Sequence, residues 1–190
     1  MTCVIGWRDN NGKVCIGADS AGVCGNHIIT RKDKKVFQND HMLIAYTSSF
    51  RMGQLLQTSL KLPEPDPHKS DFQWMCTDVI NSIRECFRNG GFLTIKDQEE
   101  KGGHFIVGYN GELYHIEGDF QVGISEKDYH ADGSGRDVAL GCCFALEKVK
   151  LPIETKIKTA LVASSTFCTG VCAPFHIMSI DRKGMVEIYE

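Results

Sequence analysis

Thr2 follows Met1, and removal of that methionine would leave one residue with both a hydroxyl and a free α-amino group. An unperturbed α-amine has a pKa of about 7.7–8.0, so it can take up a proton near neutral pH. The hydroxyl would then be the nucleophile and the amine its general base, which is the N-terminal threonine form of covalent catalysis. Met-Thr beginnings are common, so this dipeptide alone is a weak signal.

A turn between two apolar runs brings an acidic residue near Thr2. Residues 3–18 have the pattern of two strands joined by Asn11-Gly12, a dipeptide typical of two-residue hairpin loops. With that loop, Val4 lies opposite Asp19. Opposed residues share a sheet face, as do residues two apart on one strand, so Thr2 and Asp19 are predicted to share a face about 7–8 Å apart. The gap leaves room for a third side chain, although a β-bulge would change the register.

Length, charge and hydropathy limit the classes of protein to consider. The 190 residues suit one domain (1–190) better than two. The 21 Lys and Arg are outnumbered by 24 Asp and Glu, so the chain lacks the basic surplus that nucleic acid or an anionic membrane attracts. No segment reaches the roughly 18 apolar residues of a membrane span, and no signal peptide pattern opens the chain. We therefore expect no export, no membrane segment and no nucleic acid partner.

The nine cysteines do not form the pattern of a disulfide framework or a zinc site. Their number is odd, and no CxxC pair occurs. Most lie within apolar patterns, where a free cysteine acts as a small hydrophobic side chain. The sequence therefore predicts a reducing cytoplasm as the compartment and gives little support for a zinc site. The chemistry considered for Thr2 needs neither a metal nor an organic cofactor.

Hydrophobic periodicity divides the chain into blocks of strands and helices. The blocks are strands (1–49), two helices (50–62 and 70–90), strands (104–117), two helices (136–149 and one after Pro152) and strands (175–189). Asn110-Gly111 predicts a second hairpin, and the polar residues 96–103 predict a surface loop. Two antiparallel sheets packed face to face, with a helix pair on each outer side, would bury every apolar face. The predicted fold class is α+β, as a four-layer αββα sandwich.

Several stretches resemble proteasome β subunits and their bacterial relative HslV. Residues 1–7 (MTCVIGW) and 12–20 (GKVCIGADS) are similar to the opening of these proteins, in which a nucleophilic Thr precedes two apolar strands and an Asp. The similarity continues with residues 42–49 (MLIAYTSS) and with Gly133-Ser134-Gly135 before a helix rich in small residues. It covers essentially the whole chain and implies the N-terminal-nucleophile (Ntn) hydrolase fold.

The resemblance assigns a role to each of five residues. It makes Thr2 the nucleophile and base, Lys35 the catalytic lysine and Asp19 its acidic partner. It gives Ser134 a hydrogen bond near the Thr2 amine, and it gives the backbone N–H of Ser48 to the oxyanion hole. A cation near the amine and hydroxyl lowers their proton affinities, which eases attack at neutral pH. Each residue also has a structural explanation: Asp19 could cap a turn, Lys35 could be solvated, and Ser134 could be the N-cap of the third helix.

The sequence departs from the family pattern at two positions. Ser48 stands where the family usually has glycine, and Thr166 aligns with a second acidic residue of proteasomes. HslV also lacks that acid, so the second departure favours the bacterial branch. No long propeptide precedes Thr2, so we expect maturation to need only the removal of Met1.

The function implied by the resemblance is that of a threonine endopeptidase, which hydrolyses peptide bonds of polypeptide substrates inside a homo-oligomeric ring. An ATP-dependent unfoldase partner is implied by analogy alone. Tyr46 and Phe50 flank the expected oxyanion loop and are candidates for the substrate pocket.

Two other functions remain open from the sequence. A catalytically inactive, ring-forming shell subunit would keep the fold and retain Met1. A small-amide hydrolase would need trimming by one more residue, so that Cys3 became the N-terminal nucleophile. The predicted register argues against the second, because it places Cys3 on the face opposite to Asp19.

Overall fold

The computed structural model describes residues 1–189, so the last residue of the predicted 1–190 domain lies outside the described residues. The strands are β1 (Cys3–Arg8), β2 (Val14–Ala18), β3 (Ala21–Cys24), β4 (His27–Thr30), β5 (Val36–Asn39), β6 (Met42–Tyr46), β7 (Thr94–Lys96), β8 (Glu99–Lys101), β9 (Phe105–Tyr109), β10 (Glu112–Ile116), β11 (Val122–Ile124), β12 (Tyr129–Gly133), β13 (His176–Ile180) and β14 (Val186–Tyr189). The helices are α1 (Phe50–Thr58), α2 (Asp71–Trp74), α3 (Ile80–Asn89), α4 (Arg136–Leu146) and α5 (Ile153–Phe167), and a π-helical turn (Met75–Val79) joins α2 to α3.

Two five-stranded antiparallel sheets form the centre of the molecule. Sheet one has the order β12-β1-β2-β13-β14, and sheet two has the order β11-β10-β9-β6-β5. The hairpins β3–β4 and β7–β8 are separate two-stranded sheets. The surface loop predicted for residues 96–103 is wrong in part, because Lys96 and residues 99–101 pair in β7–β8.

Three apolar clusters separate four layers. The cluster between the sheets includes Val4, Ile16, Leu43 and Ile106. A second lies between sheet two and helices α1 to α3, and a third packs α4 and α5 on the outer face of sheet one. This arrangement is the predicted αββα sandwich, because each sheet has one face toward the other sheet and one face toward helices.

The two Asn-Gly turns differ, and this difference corrects the predicted register. At Asn110-Gly111 the loop has two residues, since Tyr109 pairs with Glu112. In the first hairpin Val4 pairs with Ala18 instead of Asp19, so the prediction was wrong by one residue. The Asp9 carboxylate accepts hydrogen bonds from the N–H groups two and four residues later, and this closes a longer turn over residues 10–12.

This longer turn ends with Gly12, whose φ of +81° is the left-handed conformation expected at the end of a three-residue hairpin loop. As a result, Cys3 instead of Val4 lies across from Asp19, and the Asp19 N–H donates to the Cys3 carbonyl at 3.2 Å. The predicted shared face of Thr2 and Asp19 is therefore wrong, and so is the argument that set Cys3 on the face opposite to Asp19.

The helices agree with the periodicity in position but differ at their ends. Ser70 and Gln73 form a capping box at the start of α2, within the range that the periodicity predicts. Helix α1 ends at Thr58 and helix α4 ends at Leu146, both earlier than predicted. The N-cap position of α4 is Gly135, so Ser134 is not that cap. None of the helices within residues 1–189 combines the length and the apolar composition needed to cross a membrane.

Candidate active site

Thr2 lies just before β1, where four groups contact its polar atoms, one of them the Gly135 N–H, which donates to the Thr2 carbonyl at 3.2 Å. The Lys35 ammonium donates a hydrogen bond to Thr2 Oγ1 at 2.9 Å. The Ser134 hydroxyl accepts from the Thr2 N–H at 3.1 Å and donates to the Thr2 carbonyl at 3.3 Å. Thr2 Oγ1 in turn donates to the Met1 carbonyl at 2.5 Å. With only 6% of Thr2 exposed, the hydroxyl and the nitrogen are both held in fixed positions.

Asp19 and Lys35 form a buried ion pair beside Thr2. Lys35 Nζ lies 2.8 Å from Asp19 Oδ1, and the side chains are 1% and 0% exposed. The Asp19 carboxylate also accepts from the backbone N–H groups of Cys3, Ala21 and Cys172 at 3.0, 2.8 and 3.3 Å. These bonds satisfy a charge that would otherwise be costly to bury.

The position of Lys35 is fixed by its place immediately before β5. The Tyr46 N–H donates to the Lys35 carbonyl at 3.1 Å, and the ammonium lies 5.6 Å from the centre of the Phe50 ring. Burial lowers the pKa of Lys35, and the charge of Asp19 opposes that shift. A lysine with a lowered pKa gives up and regains a proton more readily than a solvated one.

Ser48 lies at the wall of a cleft that opens onto Thr2. Its φ is +54°, in the left-handed region that few residues other than glycine adopt. The cleft has a volume of about 420 Å³ and includes Thr2, Ser48, His104 and Ser134 in its lining. Among residues 1–189, the Ser48 N–H donates to no protein acceptor, although Ser48 lines the cleft.

A smaller pocket of about 50 Å³ shares residues 47–48 with this cleft. Tyr46, Phe50 and Val23 are among its lining residues, and Thr2 borders both spaces. The sequence named Tyr46 and Phe50 as candidates for a substrate pocket, and that role stays a prediction.

Cys3 faces away from this cleft. It is 0% exposed, and its Sγ donates to the Ser164 hydroxyl at 3.6 Å within the cluster that packs α4 and α5 on sheet one. Burial raises the pKa of the Cys3 thiol to about 12. A thiol that stays protonated and enclosed is a poor nucleophile.

Thr166 does not reach the cleft. Its hydroxyl donates to the Val162 carbonyl at 2.9 Å within α5. The segment that approaches the N-terminus is further along, where a Cβ on Gly170 would lie 2.2 Å from the Met1 Cβ.

Sequence reasoning missed several groups at the site. The N–H groups of Ala21 and Cys172 are invisible to motif analysis, since any residue supplies a backbone amide. His104 was also missed; its Nδ1 lies 2.8 Å from Glu117 Oε2 and 3.6 Å from Asp132 Oδ2. The hairpin predicted at Asn110-Gly111 already sets His104 opposite Glu117, so this pair was a readable signal in the sequence. The approach of Asp132, which lies on β12, was not. Among the described residues, no group of three or more His, Cys, Asp or Glu side chains is arranged to hold a metal.

No protein-family model matches the sequence, and no curated protein sequence matches it. Solved structures nevertheless share its fold. BPH of Thiobacillus denitrificans has a TM-score of 0.78 at 18% identity, and its complex with epoxomicin has the same TM-score at 19%; each match covers 95% of this chain and 98% of that one. Eukaryotic HslV from Trypanosoma brucei has a TM-score of 0.67 at 17% identity, over 95% of this chain and 99% of that one.

These similarities confirm the predicted fold. The chain has the four-layer Ntn-hydrolase fold of the HslV and proteasome type, as the sequence resemblance implied. Identities below one fifth identify the fold and leave the chemistry to be argued from the site itself.

Proposed function

We propose that this protein is a threonine peptidase, with Thr2 as its N-terminal nucleophile after the loss of Met1. The observation that carries the proposal is the position of the Lys35 ammonium, which donates both to Thr2 Oγ1 at 2.9 Å and to Asp19 Oδ1 at 2.8 Å. A buried lysine fixed on a threonine hydroxyl by a buried carboxylate is an arrangement suited to activating that hydroxyl.

The reaction follows from the groups around Thr2. Cleavage of the Met1–Thr2 bond turns the Thr2 amide nitrogen into an α-amine, 3.1 Å from the Ser134 hydroxyl. The Thr2 hydroxyl attacks the scissile carbonyl, and its proton passes to the amine. Lys35 stabilises the developing alkoxide, and the free N–H of Ser48 stabilises the oxyanion. The amine then protonates the leaving amine, and water hydrolyses the ester to restore Thr2.

The comparison with BPH supports the same class of activity. That protein forms a complex with epoxomicin, and this chain matches it over 95% of its length. An epoxyketone offers two electrophilic carbons, which one N-terminal residue can join through its hydroxyl and its amine. The site around Thr2 would present both groups to such a reagent.

Assembly into a homo-oligomeric ring is a further part of the proposal. Large apolar side chains on α4 and α5 are exposed, with Phe144 at 68% and Phe167 at 76%, and burying them would favour contact between copies. A ring would enclose the cleft, and an ATP-dependent unfoldase would supply polypeptide substrates. We place the protein in the cytoplasm, where its nine unpaired thiols would remain reduced.

The decisive experiment combines N-terminal mass analysis with peptidase assays of Thr2→Ala and Thr2→Ser. We expect mass spectrometry to show loss of Met1, Thr2→Ala to lose at least about a thousandfold in kcat/KM, and Thr2→Ser to keep measurable activity. Retention of Met1 in a protein without peptidase activity would instead indicate an inactive shell subunit. Full activity of Thr2→Ala would refute the proposal. Loss of peptidase activity in Cys3→Ala, but not in Thr2→Ala, would favour the thiol alternative.

A further inference from the structure

The backbone at Ser48 is held in an unusual turn. The Ser49 N–H donates to the Thr47 carbonyl at 2.6 Å, two residues back, while Ser48 between them has a φ of +54°. A γ-turn with positive φ at its centre is rare and strained. Such a turn at a non-glycine residue persists only where surrounding contacts enforce it.

The Ser48 side chain supplies one of those contacts. Its Oγ accepts a hydrogen bond from the His104 N–H at 3.0 Å. The pairing of β6 with β9 ends at Tyr46 and Phe105, and the Thr47 N–H extends it by donating to the His104 carbonyl at 3.0 Å. A regular ladder would return the His104 N–H to the Thr47 carbonyl. That carbonyl is turned toward Ser49, and the Ser48 hydroxyl takes its place.

Two neighbouring residues, Gly103 and Thr47, help to hold the Ser48 side chain in position. A Cβ on Gly103 would lie 3.0 Å from the Ser48 Cβ and 2.6 Å from the Met52 sulfur, so glycine is needed beside the serine. The Thr47 hydroxyl donates to the His104 carbonyl at 3.1 Å. Residues 47 and 48 are thus fastened to His104 at both of its backbone polar groups.

We propose that the Ser48 hydroxyl is a positioning group, which holds the Ser48 N–H toward Thr2 by bonding to the His104 N–H. The inference rests on the proposed peptidase function, in which that N–H stabilises the oxyanion. Glycine, which the family pattern has at this position, reaches a positive φ without strain but provides no side chain to fix the turn. In this chain Ser48 has a strained backbone conformation, and its hydroxyl accepts a hydrogen bond from the His104 N–H.

Two substitutions separate the hydrogen bond from the backbone conformation. Ser48→Ala removes the bond and keeps a Cβ at positive φ, whereas Ser48→Gly removes the bond and relieves the strain. We expect kcat to fall about tenfold in both, with KM changed less than about twofold, because a misplaced oxyanion donor weakens only transition-state binding. Ser59→Gly, the same change at the far end of α1, serves as the control and should leave kcat unchanged.

Amide hydrogen exchange gives a readout that does not depend on activity. The His104 amide should exchange at least about tenfold faster in Ser48→Gly than in the wild type, because it loses its acceptor. Wild-type kcat in Ser48→Gly with loss only in Ser48→Ala would show that left-handed geometry alone matters, and would overturn the proposal. Wild-type kcat in both variants, unchanged His104 exchange, or a rise in KM equal to the loss in kcat/KM would overturn it as well. If Thr2→Ala retained activity, the peptidase function would fail instead, whatever the Ser48 variants did.

Discussion

Thr2 and Cys3 are adjacent in the chain, and both carry atoms that can act as nucleophiles, yet the structure gives them opposite surroundings. Thr2 borders the cleft, and its hydroxyl accepts a hydrogen bond from the Lys35 ammonium. Cys3 is enclosed in the cluster under α4 and α5, where its thiol contacts the hydroxyl of Ser164. Cys3 begins β1 and Thr2 immediately precedes it. Because successive side chains of an extended chain point to opposite sides, these neighbours lie in a cleft and in a core.

The comparison shows that the surroundings of a side chain can outweigh its intrinsic reactivity. A thiol is ordinarily easier to ionise than a hydroxyl, but burial raises the pKa of Cys3 to about 12. The threonine hydroxyl contacts the buried Lys35 ammonium and borders the cleft, whereas the Cys3 thiol has neither neighbour. The surroundings, which depend on the strand face, therefore favour Thr2.

The largest expected effect comes from removing the Lys35 ammonium, which contacts the Thr2 hydroxyl. Lys35→Met keeps the length of the side chain, and we expect peptidase activity to fall about a thousandfold or more. It also leaves Asp19 buried without its partner, which should cost about 3–5 kcal/mol in the free energy of unfolding. Urea unfolding and peptide hydrolysis measure the two effects.

A double variant separates these two effects of Lys35. Asp19→Asn combined with Lys35→Met removes the unpaired charge, so we expect most of the lost stability to return while activity stays absent. Recovery of activity together with stability would mean that Lys35 has only a structural role.

Ser134 and Ser164 provide a matched pair of substitutions, whose expected effects are smaller than those of Lys35→Met. Ser134 bonds to the nitrogen of Thr2, and Ser164 bonds to the thiol of Cys3 and to the Gly135 carbonyl. We expect Ser134→Ala to lower kcat about tenfold to a hundredfold at nearly unchanged stability, because its hydroxyl orients the amine. Ser164→Ala should cost about 1 kcal/mol in stability and leave kcat unchanged. The reverse assignment of the two effects would contradict the comparison.

The smallest expected effect is that of Cys3→Ala, which should leave kcat unchanged. Loss of a buried sulfur should lower stability by about 1 kcal/mol at pH 7. The folded protein keeps this thiol protonated up to a pKa of about 12, while the unfolded chain ionises near 9.0. Wild-type stability therefore falls as the pH rises above 9, and the difference between the two proteins should close near pH 10. Urea titrations at pH 7 and pH 10 test this. A larger difference in unfolding free energy between the wild type and Cys3→Ala at pH 10 than at pH 7 would be inconsistent with the burial of Cys3.

The fold could be predicted from the sequence because its elements have strong local patterns. The alternating strands, the Ser70 capping box and the hairpin at Asn110-Gly111 are encoded within a few residues each, and all are present. The turn at residues 10–12 could not be assigned in the same way, because Asp9 competes with the Asn-Gly preference through its own side chain. One hydrogen-bonding carboxylate shifted the register by one residue.

The candidate site shows the same division between local and long-range information. Thr2, Asp19, Lys35 and Ser134 were chosen on a resemblance to a family, and the structure brings all four together. The predicted shared face of Thr2 and Asp19 was wrong, since the two residues are joined through Lys35. The bonds of Asp19 to backbone groups near residue 172, and of Ser48 to His104, join segments far apart in the chain. Spacing within one segment contains no information about such contacts.

The most direct test of the central claim is to identify the atom that an electrophile labels. Wild-type protein and the Thr2→Ala and Cys3→Ala variants are incubated with an epoxyketone such as epoxomicin, and the adduct is located by peptide mapping. We predict one adduct on Thr2, with Met1 absent, in the wild type and in Cys3→Ala, and none in Thr2→Ala. Labelling of Cys3, or an unchanged adduct in Thr2→Ala, would contradict the account.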